Sequence, residues 1–376
     1  KKIDSLAEKG LTRSVLAEVD KIYTAAKKTE NTPQVVKALI YRLNFGYWID
    51  EDGQVNTILA LQQEAERAAF PLRQISHSMA AERLWEYYQQ NRYRILNRSE
   101  TVQFNPKDLN TWDLRRIVSA SIYHYEQSLK AEDSLKRVPV GYLDAVLAES
   151  PDSLRKAARA LRPTLYDFLA HRALDFYSGS EPGLTRPADH FEVRDPEAFA
   201  PAEAFIRHSF ATTDSLSLHA RALAVLQDLL AFHQNDADPA PRVMVDLQRL
   251  QFSRKHTTHP AKDSIYLVAL ETLEKSHRDH PVSATVAYER AEVLYNLPNH
   301  GRGPNNSNRW DYKKALEICD AMIERFPTSR GARQCRNLRQ QILQPTLALT
   351  VEAVNIPDQP FRALLTSSNV DTWFGR

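Results

Sequence analysis

Between residues 266 and 329 the sequence returns on itself at an offset of 46. Tyr266, Ala269, Leu270 and Leu273, then His280-Pro281 and Ser283, align on Tyr312, Ala315, Leu316 and Cys319, then Phe326-Pro327 and Ser329. Spacings of three and four residues put each set on one face of a helix. Small residues in those sets let a second helix approach closely, and the proline after each set stops the helix sharply. Between the copies lies Ser283-Ala284-Thr285-Val286-Ala287-Tyr288, with Ala291 and Tyr295 beyond it. A chain carrying this repeat is bound to stack helix pairs. The Gly- and Asn-rich stretch Asn296 to Trp310 reads as an insertion between them, and Leu218 to Phe232 with Val243 to Phe252 reads as a further, degenerate pair.

The rest of the chain agrees with helix. There are only 10 Gly against 20 Pro, and the many tight turns of α/β folds and β-sandwiches need more glycine than that. Thr32-Pro33 is a cap followed by proline, and Val36, Leu39, Ile40, Leu43 and Tyr47 continue one face. Leu59, Leu61, Ala65 and Ala69, then Leu84, Trp85, Tyr87 and Tyr88, then Leu114, Ile117, Val118, Ile122, Tyr125 and Leu129 mark three more. Ser150-Pro151 repeats the cap-then-proline signature, and Pro163 should break the helix that runs from Leu154 to Phe176. Gly179, Pro182, Gly183, Pro187, Pro196 and Pro201 then punctuate a loop or linker. The predicted organisation is a helical subdomain over 1–177, a loop or linker over 178–201 and a helical-repeat subdomain over 202–344, the alternative being one continuous solenoid into which that loop packs.

At Pro345 the period changes to two. Leu347, Leu349 and Val351 alternate with Thr346, Ala348 and Thr350, and Val354, Ile356, Phe361, Leu364 and Leu365 follow around Pro357 and Pro360. This is strand patterning. Residues 345–376 are too few for a sandwich of about a hundred residues, so the expectation is the start of a β-domain that the chain leaves unfinished.

Charge excludes some functions. With 49 basic and 47 acidic residues the net charge is +2, which gives no field to steer nucleic acid. No apolar run reaches the length of a membrane span. No signal peptide opens the chain, which begins as a mature or trimmed protein would.

Chemistry-bearing motifs are sparse. His256 and His259 lack the further ligands that a metal would need. No Gly-x-Ser-x-Gly elbow or phosphate-cradling loop occurs, and Gly301-Arg302-Gly303-Pro304 lacks the Lys-Ser/Thr of one. Glu51-Asp52 and Glu132-Asp133 read as capping carboxylates. Arg92, Arg94 and Arg98 with Tyr93 are the nearest approach to a basic-aromatic patch, read first as ordinary arginines on a polar helix face and otherwise as an exposed protein-docking patch, and Trp85, Tyr87, Tyr88 and Tyr93 read as inter-helix packing. The expectation is no catalytic residue, no metal and no cofactor. Cys319 lies eight residues before the turn at Pro327 and Cys335 eight after it. In antiparallel helices these positions face each other, so the pair is either a disulfide or two buried thiols acting as small apolar residues.

Asp311-Tyr312-Lys313-Lys314-Ala315-Leu316, ending in Phe326-Pro327, resembles the second helix of a tetratricopeptide repeat followed by the next unit. The usual period is shorter, and the insertion supplies the excess. Other segments resemble the N-terminal region of the very large alpha-2-macroglobulin family proteins of Bacteroidetes. They are Asp4-Ser5-Leu6, Ser14 to Tyr23, Gln34 to Leu39, Arg162 to Ala170 and Cys335-Arg336-Asn337-Leu338. The tail Val354-Asn355-Ile356-Pro357-Asp358-Gln359-Pro360-Phe361 is similar to the first strand of such a protein's opening macroglobulin-type sandwich.

The resemblance implies an all-α, tetratricopeptide-like solenoid followed by a truncated β-domain, serving as a non-catalytic scaffold. It implies a parent that traps or inhibits proteases at the periplasm or cell surface, anchored through a lipid. An oxidising periplasm would suit a Cys319–Cys335 disulfide. Neither cysteine begins the thioester motif of some members. Implied partners are the protein's own downstream macroglobulin domains, proteases or envelope proteins, with no nucleic acid. Asn296, His300, Arg302, Asn305 and Trp310 form the candidate contact loop, because insertions map to one side of such arrays. The alternative is a helical glycan-binding protein of a polysaccharide-uptake system, with Trp48, Trp112 and Trp310 as exposed stacking platforms. A hydrolase with dispersed catalytic residues is a third class, which a cleft of convergent carboxylates or histidines would mark.

Overall fold

The computed structural model describes residues 2–47, 49, 52–97, 105, 108–147, 151–179, 190–297, 310–351, 354, 359–370, 372 and 374, with the side chains of 152 and 153 left aside. The protein is mostly helical, at 70% helix with seventeen α-helices among the described residues, and ends in a two-stranded antiparallel sheet. No described helix is long and apolar enough to cross a membrane. The chain forms two compact units. The first comprises Lys1–Asp195 with Ile206–Val245, and the second Pro196–Phe205 with Asp246–Arg376.

The first unit opens with α1 (Lys2–Glu8), α2 (Thr12–Lys28), α3 (Thr32–Gly46), α4 (Gly53–Arg67), α5 (Leu72–Gln90) and α6 (Arg92–Leu96). There follow α7 (Leu114–Leu129), α8 (Glu132–Leu135), α9 (Asp152–Leu161) and α10 (Leu165–Tyr177). Next in the chain come α11 (Ala202–Arg207), α12 (Leu218–Phe232) and α13 (Ala240–His256). Successive helices pack on one another: α2 on α3, α4 on α5, α5 on α7, α10 on α12. Gly10, at φ +68°, makes the turn from α1 to α2, a left-handed conformation that a Cβ would oppose. The cap of α3 lies one residue earlier than expected, because Asn31 Oδ1 accepts the Gln34 N–H at 3.2 Å. Pro33 falls in the first turn, where its missing N–H costs nothing.

Helix α5 is the centre of this unit, touching α3, α4, α7 and α10. Every residue from Gln74 to Ala81 is buried, so the helix is enclosed on all sides over two turns. Its polar members, Gln74, Ser76, His77 and Ser78, therefore have to find partners inside the protein. The expected break at Pro163 is present, with α9 ending at Leu161 and α10 starting at Leu165. The freed backbone is not left idle. Pro163 O accepts the Val140 N–H and Val138 O the Leu165 N–H, both at 2.8 Å, which fixes the start of α10.

The second unit contains α14 (Lys262–Ser276), α15 (Ser283–Asn296), α16 (Asp311–Arg325) and α17 (Arg330–Leu343). Helix α15 packs against α14, α16 and α17, and α16 packs against α17. The core is made of small side chains: Ala284, Ala287, Ala291, Ala315, Cys319 and Cys335, closed by Leu294, Met322 and Leu338. Gly331 shows how close the backbones come. A Cβ there would lie 2.1 Å from Ala284 C and 2.3 Å from Ala284 O, closer than any side chain can sit.

The chain then forms β1 (Thr346–Val351) and β2 (Ala363–Ser368), paired antiparallel from Thr346↔Ser368 to Val351↔Ala363. Alternation puts Leu347, Leu349, Val351, Ala363 and Leu365 on one face. All of β1 is exposed, Leu349 by 63%. Asn369 ends the hairpin in a left-handed conformation, and its side-chain amide donates to Ile342 O at 2.7 Å and Gln344 O at 3.2 Å. These bonds tie the returning strand to the end of α17.

Candidate functional site

Three buried polar clusters hold most of the internal chemistry of the described residues. The first pairs His77 of α5 with His124 of α7, their Nδ1 atoms 2.8 Å apart. Gln62 Nε2 lies 3.1 Å from His124 Nε2. An amide nitrogen only donates, so His124 Nε2 accepts and its proton sits on Nδ1. That proton is given to His77 Nδ1, which leaves the His77 proton on Nε2, where no partner meets it. Both rings are neutral. Burial pushes His77 down to about 4 and His124, with the neighbouring His77 adding to the effect, to about 3.

The second cluster centres on Asp167, fully buried in the first turn of α10. Its Oδ2 accepts the Thr164 N–H at 2.9 Å and the Thr164 hydroxyl at 2.7 Å, and Thr164 Oγ1 accepts the Asp167 N–H in return, a complete capping box. Its Oδ1 takes the His233 Nε2–H at 2.7 Å, and His233 Nδ1–H reaches Asp236 Oδ2 at 2.7 Å. Burial pulls the His233 pKa down, but the hydrogen bonds and charges of Asp167 and Asp236 more than offset it and hold it above its ordinary value. His171, one turn along α10, bonds to Asp167 O at 2.8 Å, and burial, with the charge of Arg162, drives it down to about 4. Lys136 lies over the rings of Tyr166 and Phe232, 4.9 and 4.8 Å from their centroids, closing one side.

The third cluster is in the second unit. Arg249 of α13 is buried, with Nη1 donating to Ala198 O at 3.1 Å and Ala200 O at 2.7 Å. Asp246 pairs with it at 2.6 Å, Phe205 stacks 4.7 Å from its guanidinium, and the Ser253 hydroxyl donates to Ala198 O at 3.0 Å. The cluster fastens residues 196–205, which include a 3-10 turn at Pro196–Phe199, to α13.

No protein-family model, curated protein or solved structure matches this chain. Function has to be read from the geometry alone.

The Asp167 cluster is chemically closed. Asp167 has both oxygens occupied and His233 both nitrogens, while Arg249 spends Nη1 on backbone carbonyls and Nη2 on Asp246, so neither Asp167 nor His233 presents a base to a substrate. Among the described residues no group of three or more His, Cys, Asp or Glu could hold a metal. A cavity of about 240 Å³ opens at α1, α2 and α3, lined by Ile3, Val19, Lys37 and Tyr41 among others. That is small beside the roughly 300–1,000 Å³ of ligand pockets.

The residues singled out in the sequence are dispersed. Cys319 and Cys335 are free thiols, both buried and facing each other in the α16–α17 core. Of the contact loop, Asn296 is the last residue of α15 and Trp310 caps α16, exposed by 54%. His300, Arg302 and Asn305 lie outside the described residues, as do Trp48, Arg98, Glu51 and Ser150. Trp112 is buried and gives its indole N–H to Asn105 O at 3.1 Å.

Arg94 is used internally, one nitrogen reaching Tyr87 Oη, Asn91 Oδ1 and Asn110 Oδ1, each at 3.0 Å. Tyr87 and Tyr88 are core, whereas Tyr93 is exposed. His256 lies tilted against Phe252, ring centroids 4.6 Å apart, and His259 Nδ1 accepts the Ala261 N–H, each engaged separately. Glu132 pairs with Lys136.

The buried histidines escaped the sequence reading. Their signal was positional: His124 lies seven residues after Ile117 on the apolar face of α7, and His171 four after Asp167 on α10.

Proposed function

We propose that this chain is a non-catalytic scaffold and protein-interaction region within a larger protein of the alpha-2-macroglobulin type. Its helix pairs are of tetratricopeptide kind, and its C-terminal hairpin is the opening of a macroglobulin-like β-sandwich. The parent acts at the periplasm or cell surface, lipid-anchored, as a trap or inhibitor of proteases.

The observation that carries this is the uncovered apolar face of the hairpin. Two strands alone are marginal in water. Here Leu347, Leu349 and Val351 stand exposed on strands with no charged residue in either. Such a face is stable when further strands cover it, and uncharged edges do nothing to repel them. The closed state of the Asp167 cluster supports the non-catalytic half of the reading, since Asp167 and His233 are spent on holding the fold. The glycan-binding alternative needs exposed indoles, and the burial of Trp112 weighs against it.

Hydrogen exchange over residues 346–368 tests the proposal. The amides of both strands are compared in this chain and in the polypeptide that its gene encodes past Arg376. Strong protection in the longer protein is expected. A stop codon directly after Arg376, or equal exchange in the two, overturns the reading.

A further inference from the structure

We infer that Cys319 and Cys335, free thiols in this structure, form an intramolecular disulfide under oxidising conditions, installed by a small-molecule or protein disulfide donor while the α16–α17 hairpin is open and shielded once it has closed. Both side chains are wholly buried. They belong to one cluster, with Ala284, Ala287, Ala291 and Ala315 around them and Leu338 at its edge. Helices α16 and α17 pack along each other across the turn at Pro327, which brings the two positions opposite one another. Each thiol acts on the other, Cys335 lowering the pKa of Cys319 and Cys319 raising that of Cys335.

The neighbourhood favours bonding over inert packing. Four alanines of the cluster, with Gly331 of α17 set against Ala284 of α15, bring the backbones closer than larger side chains would allow. A disulfide needs that closeness, with Cα atoms about 4.4–6.8 Å apart.

The step balances as thiol–disulfide exchange. The thiolate of one cysteine attacks a donor sulfur, forming a mixed disulfide and releasing one donor thiolate. The second cysteine's thiolate attacks the protein sulfur of that mixed disulfide and expels the other donor thiolate. Two protein thiols are oxidised, one donor disulfide is reduced to two thiols, and the two protons pass to the departing thiolates. Neither sulfur is reachable in the closed fold, so the exchange belongs to folding or to local opening.

The test uses the whole chain, refolded either in a glutathione redox buffer or in excess dithiothreitol, then denatured and treated with iodoacetamide. After oxidising refolding we expect a monomer in which neither cysteine alkylates until reductant is added. A proteolytic peptide should join Cys319 to Cys335, and the thermal midpoint should rise by several degrees over the reduced protein. A Cys319→Ala/Cys335→Ala variant should have one midpoint in both buffers. Stoichiometric alkylation after oxidising refolding overturns the inference. So does capture of the thiols only as glutathione adducts or dimers, a bond that lowers the midpoint, or a double variant that shifts as much as the wild type.

Discussion

In the first unit the interior is polar at its centre: α5 is enclosed over Gln74–Ala81, and imidazoles and a carboxylate carry hydrogen bonds through the core. In the second the α14–α17 stack is centred on alanines, two thiols and one glycine. Both bury helices against helices, yet they respond to different insults. A core of hydrogen-bonded groups is vulnerable to the loss of a partner, because the survivor stays buried and unpaired. A core of minimal side chains is vulnerable to added volume, because close packing leaves no room to absorb it.

Removing a partner should do most damage. Asp167→Ala removes the side-chain half of the α10 capping box and leaves the His233 imidazole buried beside vacated space, with an expected loss of about 3–5 kcal/mol. Urea denaturation with hydrogen exchange should place that loss in the first unit, and a cost below about 1 kcal/mol would remove the contrast. Added volume comes next. Gly331→Ala drives a methyl into the Ala284 carbonyl, with an expected loss of about 2–3 kcal/mol confined to the second unit. An unchanged midpoint there would mean that α17 slides freely.

Acid should separate the units further. His77, His124 and His171 titrate at about 4, 3 and 4 when folded, against an ordinary value near 6.5. The unfolded chain therefore binds more protons as pH falls from about 6.5 towards 4. The stability these rings contribute is complete above that window and is lost through it, by up to about 1.4 kcal/mol per pH unit for each ring. His233 runs the other way, its stabilisation complete below about 6.5 and lost as pH rises through its raised folded value. His124→Leu should flatten the acid limb measured by urea denaturation at pH 7, 5.5 and 4.5; an unaltered slope would assign the acid sensitivity elsewhere. Least of all, Ser329→Ala removes only the cap of α17, whose hydroxyl accepts the Ala332 N–H at 3.1 Å. A loss of about 1 kcal/mol is expected, and Thr164→Ala should exceed it because that hydroxyl also serves Asp167.

The difference between the units also governs what could be read in advance. The 46-residue offset, the alanine-rich faces and the stop at Pro327 foreshadowed α14 to α17, because small-residue packing is written in local periodicity. The break at Pro163 and the change of period at Pro345 were legible for the same reason. His233 meeting Asp167, 66 residues away, was not, since nothing local in either segment names the other. Arg249 lies hidden in an ordinary helical sequence, and only the fold reveals that it clamps residues 198 and 200.

Asp167 stands in two circuits at once, as the reciprocal cap of α10 and as the counter-ion of His233. Fraying of the first turn of α10 therefore loosens the His233 proton, and loss of that proton weakens the reason for the turn to stay wound. A hydrogen ion here behaves as a ligand of local helix order, and linkage requires the coupling to run equally in both directions.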